Sequence, residues 1–296
     1  MATQINPGEL FAVKDMVALV TGGGTGIGLM MAKALADAGA SKVYIVGRRK
    51  EALESAAKQI NKPDVVVPLV GDVSSKSSLS SIASSITNDT GYLNLVVCNA
   101  GISGPQGGMP GPETTLEEWQ QKQLSFDTEE YTNTFNVNST SVWYTAMSML
   151  KLLDEGNKKG NLKQTSQIVV TSSIASFNKA APGGWAYGQS KAAATLASKQ
   201  LSVVLSQWNI RSNCICPGLF PSEMSAPIVE RSGAKVTDLS STVPVPKDLV
   251  PLGRMGTPEE MAGQILYLAS PAGAYLTGNV IVVDGGRLTK MPTTGY

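Results

Sequence analysis

Six short, nearly unbroken apolar runs punctuate the chain, Met16–Val20, Lys42–Val46, Val65–Val70, Leu93–Cys98, Ile168–Thr171 and Asn279–Val283, and a more polar strand-like segment, Ile210–Ile215, makes a seventh strand. A strand with one wet face alternates apolar and polar positions, whereas an unbroken run marks a strand covered on both faces. The stretches between them change period. Ile27, Met31, Ala34, Leu35 and Ala38 recur at helical spacing over 26–38. Glu51–Ile60 reads as a second helix, and a polar helix fits between the third and fourth runs. Apolar strands alternating with helices predict an α/β fold, its seven-stranded parallel sheet flanked by helices. No linker or composition break divides the chain, so it reads as a single domain, 1–296.

Three stretches escape this pattern. Gly101–Gly111 is a Gly/Pro-rich loop, and 154–166 is polar enough to predict a surface excursion. Residues 222–250 carry Met224, Pro227, Pro244 and Pro246, which suits a mobile lid over a substrate site.

The first apolar run flows directly into Thr21-Gly-Gly-Gly-Thr-Gly-Ile-Gly28 and then into a helix. Glycines in that setting let a pyrophosphate approach the backbone, while the helix N-terminus offers N–H donors and partial positive charge. The expected fold is therefore a Rossmann-type doubly wound dinucleotide-binding domain. At the end of the second run, Gly47 stands where an acidic residue would bind the ribose hydroxyl of NAD, and Arg48 and Arg49 follow. An arginine there accommodates a 2′-phosphate, so NADP(H) is the expected cofactor. The competing reading is a pair of solvated surface arginines.

Composition narrows the chemistry. The 296 residues include no histidine, which removes Ser-His-Asp and Cys-His catalysis and histidine metal ligands. A general acid or base must come from Tyr, Lys, Asp, Glu or Cys. A net charge of +1 argues against nucleic acid or an anionic membrane as partner. No apolar run approaches the roughly 20 residues that span a bilayer, and the N-terminus lacks a signal-peptide layout. Cys98, Cys214 and Cys216, an odd number of cysteines, suit a reducing compartment and read as small buried side chains. The expectation is a soluble cytoplasmic protein with no metal.

The chemistry then centres on Tyr187-Gly-Gln-Ser-Lys191. In a helix the two outer residues lie one turn apart on the same face. An ammonium beside a phenol favours the phenolate, and lowering the phenol from ~10 into the working range takes roughly 3–4 kcal/mol. Upstream, Ser172 and Ser173 offer a hydroxyl partner, with Ser176 close by.

Taken with Asp72-Val73, Asn99-Ala-Gly101, Pro217-Gly218 and Val283-Asp-Gly-Gly286, these motifs resemble the short-chain dehydrogenase/reductase family over about residues 14–288. Within it, Pro217–Met224 and Gly273–Val280 look most like the β-ketoacyl reductases of rhamnolipid synthesis. The resemblance implies Tyr187 as acid/base and Lys191 as the cation that tunes it and holds the nicotinamide ribose. It implies Ser173 as the hydroxyl on the substrate oxygen. Asn138 is the implied water anchor: family members carry this Asn seven residues after an acidic-acidic-aromatic triplet, and Glu129-Glu130-Tyr131 selects 138 over Asn133 and Asn136. A second triplet, Glu117-Glu118-Trp119, would select Phe126, so 114–125 reads as an inserted helical turn or two beside the substrate mouth. The implied cofactor site comprises Gly22, Thr25, Gly26, Ile27, Gly28, Arg48, Arg49, Asp72, Val73, Asn99, Ala100, Gly101, Tyr187, Lys191, Pro217, Gly218 and Ser222. Asp72 would accept from the adenine and Ser222 would meet the carboxamide; each also reads as a helix cap.

The activity this implies is NADPH-dependent reduction of a carbonyl on a small-molecule substrate, in a homodimer or homotetramer. Oxidation of an alcohol or polyol uses the same residues in reverse, and a non-catalytic NADP-binding protein is the rival from another class. Met109, Trp119, Phe177, Trp185, Phe220 and Met224 are candidates for an apolar substrate pocket.

Overall fold

The computed structural model describes residues 5–181, 183–231 and 243–295. In chain order its main elements are α1 (Pro7–Leu10), β1 (Val17–Thr21), α2 (Gly26–Asp37), β2 (Lys42–Gly47), α3 (Lys50–Ile60), β3 (Val66–Val70), α4 (Lys76–Asp89) and β4 (Leu95–Cys98). There follow α5 (Leu116–Leu124), α6 (Thr128–Phe135), α7 (Ser141–Lys159), β5 (Gln167–Thr171), α8 (Trp185–Val204), β6 (Arg211–Pro217), α9 (Ala226–Arg231), α10 (Pro258–Ala269) and β7 (Val280–Val283). The seven strands form one sheet in the order β3-β2-β1-β4-β5-β6-β7, every pair parallel.

Period-two geometry divides the strands' side chains between two cores. Val17 and Leu19 face one side with Tyr44, Val96, Met149 and Leu201, beneath α4, α7 and α8. Ala18 and Val20 face the other with Ile45, Leu35, Met261 and Ile265, beneath α2, α3 and α10. Double coverage is what the unbroken runs require. Pro68 lies within β3, which is tolerable because β3 is an edge strand with no outer ladder partner.

The 154–166 excursion is shorter than its polarity suggests, since α7 continues to Lys159. Leu152, Leu153 and Gly156 keep the inner face buried, while Lys158 pairs outward with Asp154 and Glu155. The 114–125 segment is helical, as the duplicated triplet suggests: Thr115 and Glu118 form a capping box on α5. Of the stretch 222–250, expected to form a lid, residues 232–242 lie outside the described residues. Its flanks pack Val229, Val243, Val245 and Val250 against Leu219 and Met255. No described helix is long and apolar enough to cross a membrane.

The strand order reverses direction between β1 and β4. The loops that leave these two strands at their C-terminal ends diverge there and open a crevice, the usual ligand position in doubly wound sheets.

Candidate active site

Two adjoining cavities occupy that crevice. The first, of about 310 Å³, is lined by Gly22, Thr25, Gly26, Ile27, Arg48, Arg49, Asp72, Val73, Asn99, Ala100, Gly101, Tyr187, Lys191 and Ser222. The second, of about 230 Å³, is lined by Ser173, Phe220, Ile228 and Met291 among others. Ile27, Ser172, Tyr187, Ser222 and Met224 belong to both, so Tyr187 stands at their junction.

The floor of the first cavity follows from the glycine loop. Gly22 and Gly26 have φ of 65° and 53°, conformations that disfavour a side chain. Gly28 lies behind the lining: a Cβ there would run into the Gly22 carbonyl and the Asn99 amide. Thr25 caps α2 without a side-chain bond, leaving the first N–H groups of the helix for an anion. Thr21 ties the loop to the neighbouring strand: its Oγ1 donates to Val97 O at 3.2 Å and accepts from Asn99 N at 2.9 Å. Asn99 Nδ2 returns a bond to Thr21 O at 3.1 Å. These features suit a dinucleotide diphosphate.

At the outer end, Arg48 is exposed, and Arg49 pairs with Glu223 across the mouth at 3.1 Å. Asp72 is no helix cap, since Ser75 caps α4. Its carboxylate accepts from Ser74 N and Oγ at 2.9 and 2.6 Å. Burial pushes that carboxyl up, but the Ser74 bonds and Arg48 outweigh it and hold it below its ordinary value. Ser222 closes a capping turn instead: its Oγ accepts from Ser225 N at 3.2 Å and donates to Ser225 Oγ at 3.1 Å. Pro217 and Gly218 line the second cavity rather than the first, with Gly218 pressed against Asp284.

The reactive end is built on α8. Gly184, at φ 91°, starts the helix where the Pro105 carbonyl leaves no room for a side chain. Tyr187 and Lys191 then share one helical face. Lys191 is 4% exposed, and its Nζ donates to Thr171 O at 2.9 Å, 5.8 Å from the Tyr187 ring centre. Of the serines, Ser172 is committed to structure: it donates to Lys191 O at 2.8 Å and accepts from Thr195 at 2.7 Å. Ser176 donates to Ser173 O at 2.7 Å. Ser173, on the second cavity, is the hydroxyl left beside the Tyr187 phenol.

Asn138 sits in a single π-helical turn, Asn136–Thr140, between α6 and α7. Such a turn rotates the backbone and re-aims a side chain. Asn133 faces solvent, whereas Asn138 is 1% exposed. Its Oδ1 accepts from Ile102 N at 2.8 Å, and its Nδ2 donates to Ile102 O and Ser190 Oγ at 2.9 and 3.0 Å. It lines neither cavity. Gly101 makes this possible, since a Cβ there would stand 3.1 Å from Asn138 Oδ1 and 3.3 Å from Lys191 Nζ.

A family model described as enoyl-(acyl carrier protein) reductase matches residues 22–287. The short-chain dehydrogenase/reductase PhomF of Diaporthe leptostromiformis is 47% identical over 298 residues, spanning 99% of this chain and 100% of that protein. The chain belongs to the short-chain dehydrogenase/reductase family. The rhamnolipids biosynthesis 3-oxoacyl-[acyl-carrier-protein] reductase of Pseudomonas aeruginosa is 32% identical, covering 93% of this chain and 97% of that one. The solved Pseudomonas aeruginosa RhlG/NADP active-site complex superposes with a TM-score of 0.77 at 31% identity, covering 94% and 98% of the two chains.

The Tyr187 phenol lies above its ordinary value. Burial raises Tyr187, the Ser173 hydroxyl pulls it down, and Cys216 adds to the rise. The Lys191 ammonium donates to Thr171 O and lies over the Tyr187 ring, 5.8 Å from its centre. Of the six apolar pocket candidates, only Phe220 and Met224 line the second cavity. Met109 is exposed, Phe177 belongs to the core, and Trp119 and Trp185 are absent from both linings. The sequence reading missed Glu223, Asn178, Arg287 and Met291; Arg287 directly follows the Asp284-Gly-Gly286 motif, but no spacing links it to Tyr187. Among the described residues no cluster of metal-ligating side chains occurs.

Burial also lowers the Lys191 ammonium to about 8. A lysine held below its unfolded value burdens the fold while it is charged, and the burden fades as pH rises from about 8 towards 10.5. At ~1.4 kcal/mol per pKa unit the cost at neutrality is about 3 kcal/mol. The lost Thr171 bond returns about 1 kcal/mol of it. Lys191→Met is therefore expected to raise the melting temperature of the cofactor-free protein at pH 7 by roughly 3–6 °C, a gain that shrinks by pH 10. Melting curves at the two pH values check this, and a variant melting lower at pH 7 refutes it.

Proposed function

We propose that this chain is an NADPH-dependent reductase that converts a ketone on an apolar small molecule to a secondary alcohol. The observation that carries the reading is the position of Tyr187, at the junction of the two cavities with Ser173 beside its phenol and the Lys191 cation behind it. The 3-oxoacyl reductase relative and the NADP complex of RhlG support the reaction and the cofactor. Arg48 at the mouth of the first cavity, after Gly47 rather than an acid, supports a 2′-phosphate.

The fit to the cofactor rests on the glycine cradle, the free N-terminus of α2 and a buried ammonium with one hydrogen bond among the described residues. When bound, NADPH supplies the hydride that reduces the carbonyl carbon. Ser173 and Tyr187 donate hydrogen bonds to the carbonyl oxygen, and the Tyr187 Oη proton moves to it as negative charge builds. The Lys191 cation favours the phenolate left behind and, through solvent, restores its proton. Asn138 positions this pair by fixing the 102 loop to α8 through Ser190.

A panel of medium-chain ketones and 3-oxo esters, assayed by loss of reduced-nicotinamide absorbance, tests the reading. Ketone-dependent NADPH consumption is expected. Tight NADPH binding with no turnover of any carbonyl would favour a non-catalytic binding protein instead. Arg48→Ala is expected to weaken NADPH about tenfold, near 1.4 kcal/mol, and to leave NADH within about twofold. Fluorescence titration of both cofactors reads this, and equal weakening of the two would remove Arg48 as the phosphate reader.

A further inference from the structure

The second cavity contains one charged residue among its described lining, Arg287. The residue is 6% exposed, and among the described residues its side chain makes no hydrogen bond and no ion pair; its Nε is fully enclosed without a partner. Arg211 shows what a structural arginine looks like in this fold. It is equally buried and its Nε likewise lacks a partner, yet its terminal nitrogens donate four bonds, to Gln167 Oε1, Gly273 O, Leu276 O and Thr165 O, where those of Arg287 donate none among the described residues. The nearby carboxylate, Asp284, does not compensate Arg287. Its two oxygens accept from Gly286 N at 2.9 Å and Leu288 N at 2.7 Å, bonds that hold the turn carrying the arginine. Burying a guanidinium nitrogen without an acceptor is costly, and the terminal nitrogens of Arg287, on the cavity wall without a partner among the described residues, are free to meet a ligand there. Burial lowers Arg287 from its ordinary value, with Asp284 only partly opposing, but a guanidinium remains charged near neutrality.

Phe220, Met224, Ile228 and Met291 make the rest of the wall largely apolar, and Ser173 and Tyr187 stand at its inner end. Resting on the reading of Tyr187 as the carbonyl-binding acid, we propose that Arg287 binds a carboxylate on the substrate. The substrate class is then an apolar oxo acid: its ketone oxygen meets Ser173 and Tyr187, its hydrocarbon body contacts Phe220 and Met224, and its acid group pairs with Arg287. A planar fork of donors matches a carboxylate through two parallel bonds, which gives orientation as well as affinity.

Octanoate and octanamide, equal in shape and different in charge, are the probes. Calorimetric titration of the protein saturated with NADPH should give octanoate at least a tenfold tighter constant than octanamide. In Arg287→Met the two should bind within about twofold of each other. Arg287→Lys, which keeps a cation should the methionine variant not fold, should retain part of the preference. Equal binding of the two probes by the wild type overturns the proposal, as does an acid preference that survives in Arg287→Met. The same titrations on cofactor-free protein separate this claim from the reductase reading. Failure to bind NADPH would sink that reading, while the acid preference would still be measured on the open cavity.

Discussion

Tyr187→Phe is expected to lower kcat for ketone reduction about a thousandfold while leaving NADPH affinity within about twofold. The substitution removes one oxygen and keeps the ring, so α8 and its packing are undisturbed. What is lost is the proposed acid, the phenol hydroxyl at the junction of the two cavities. General acid–base catalysis contributes ~100- to 10,000-fold, and a thousandfold corresponds to about 4 kcal/mol of barrier. Ser173 would remain to bind the carbonyl oxygen, so KM should change far less than kcat. The Tyr187 phenol is held above its ordinary value, so it stays protonated at neutral pH and can donate. Steady-state kinetics beside a cofactor titration decide the matter: a loss in kcat below about tenfold would remove Tyr187 from the chemistry.

Gly28→Ala is expected to weaken NADPH binding at least ~100-fold and to destabilise the fold by about 3 kcal/mol, the range for overpacking a tight site. The new methyl group would collide with the Gly22 carbonyl and with Asn99 Nδ2. Neither neighbour yields easily. Gly22 is fixed at φ 65°, and Asn99 Nδ2 bonds Thr21 O at 3.1 Å. Relief requires the loop to lift from α2, which removes the N–H cradle the cofactor needs. Gly263→Ala is the control. Gly263 lies within α10, and a methyl group added there would meet nothing within 4 Å, so alanine should stabilise by about 0.5–1 kcal/mol. Melting curves and NADPH titrations of both variants provide the check, and a Gly28→Ala protein that binds NADPH normally would contradict the packing account.

The sheet was legible because coverage on both faces leaves unbroken apolar runs; strands such as β1 and β5 have every residue buried. The glycine loop was legible because its geometry permits only glycine at several positions. Tyr187 and Lys191 were legible because a helix converts a spacing of four into one face. Choosing among the serines took the structure, since only hydrogen-bond partners show that Ser172 is committed to Lys191 and Thr195. The sign of the Tyr187 shift was hidden for a related reason: it depends on how deeply the ring is packed and where the ammonium bonds, and neither follows from spacing. Substrate-side residues were the least legible. Arg287 reaches the second cavity from a turn that follows β7, about a hundred residues from Tyr187 in sequence. Asn138 lay between, its number set by a family register and its orientation by a π turn that periodicity alone does not reveal.

The central claim is that the crevice binds NADP(H) through the glycine cradle and Arg48 and presents it to Tyr187. Parallel fluorescence titrations of the wild-type protein with NADPH and NADH test this without knowledge of the substrate. NADPH is expected to bind at least tenfold more tightly than NADH. Equal affinity, or a preference for NADH, would contradict it and move an alcohol-oxidising dehydrogenase to first place.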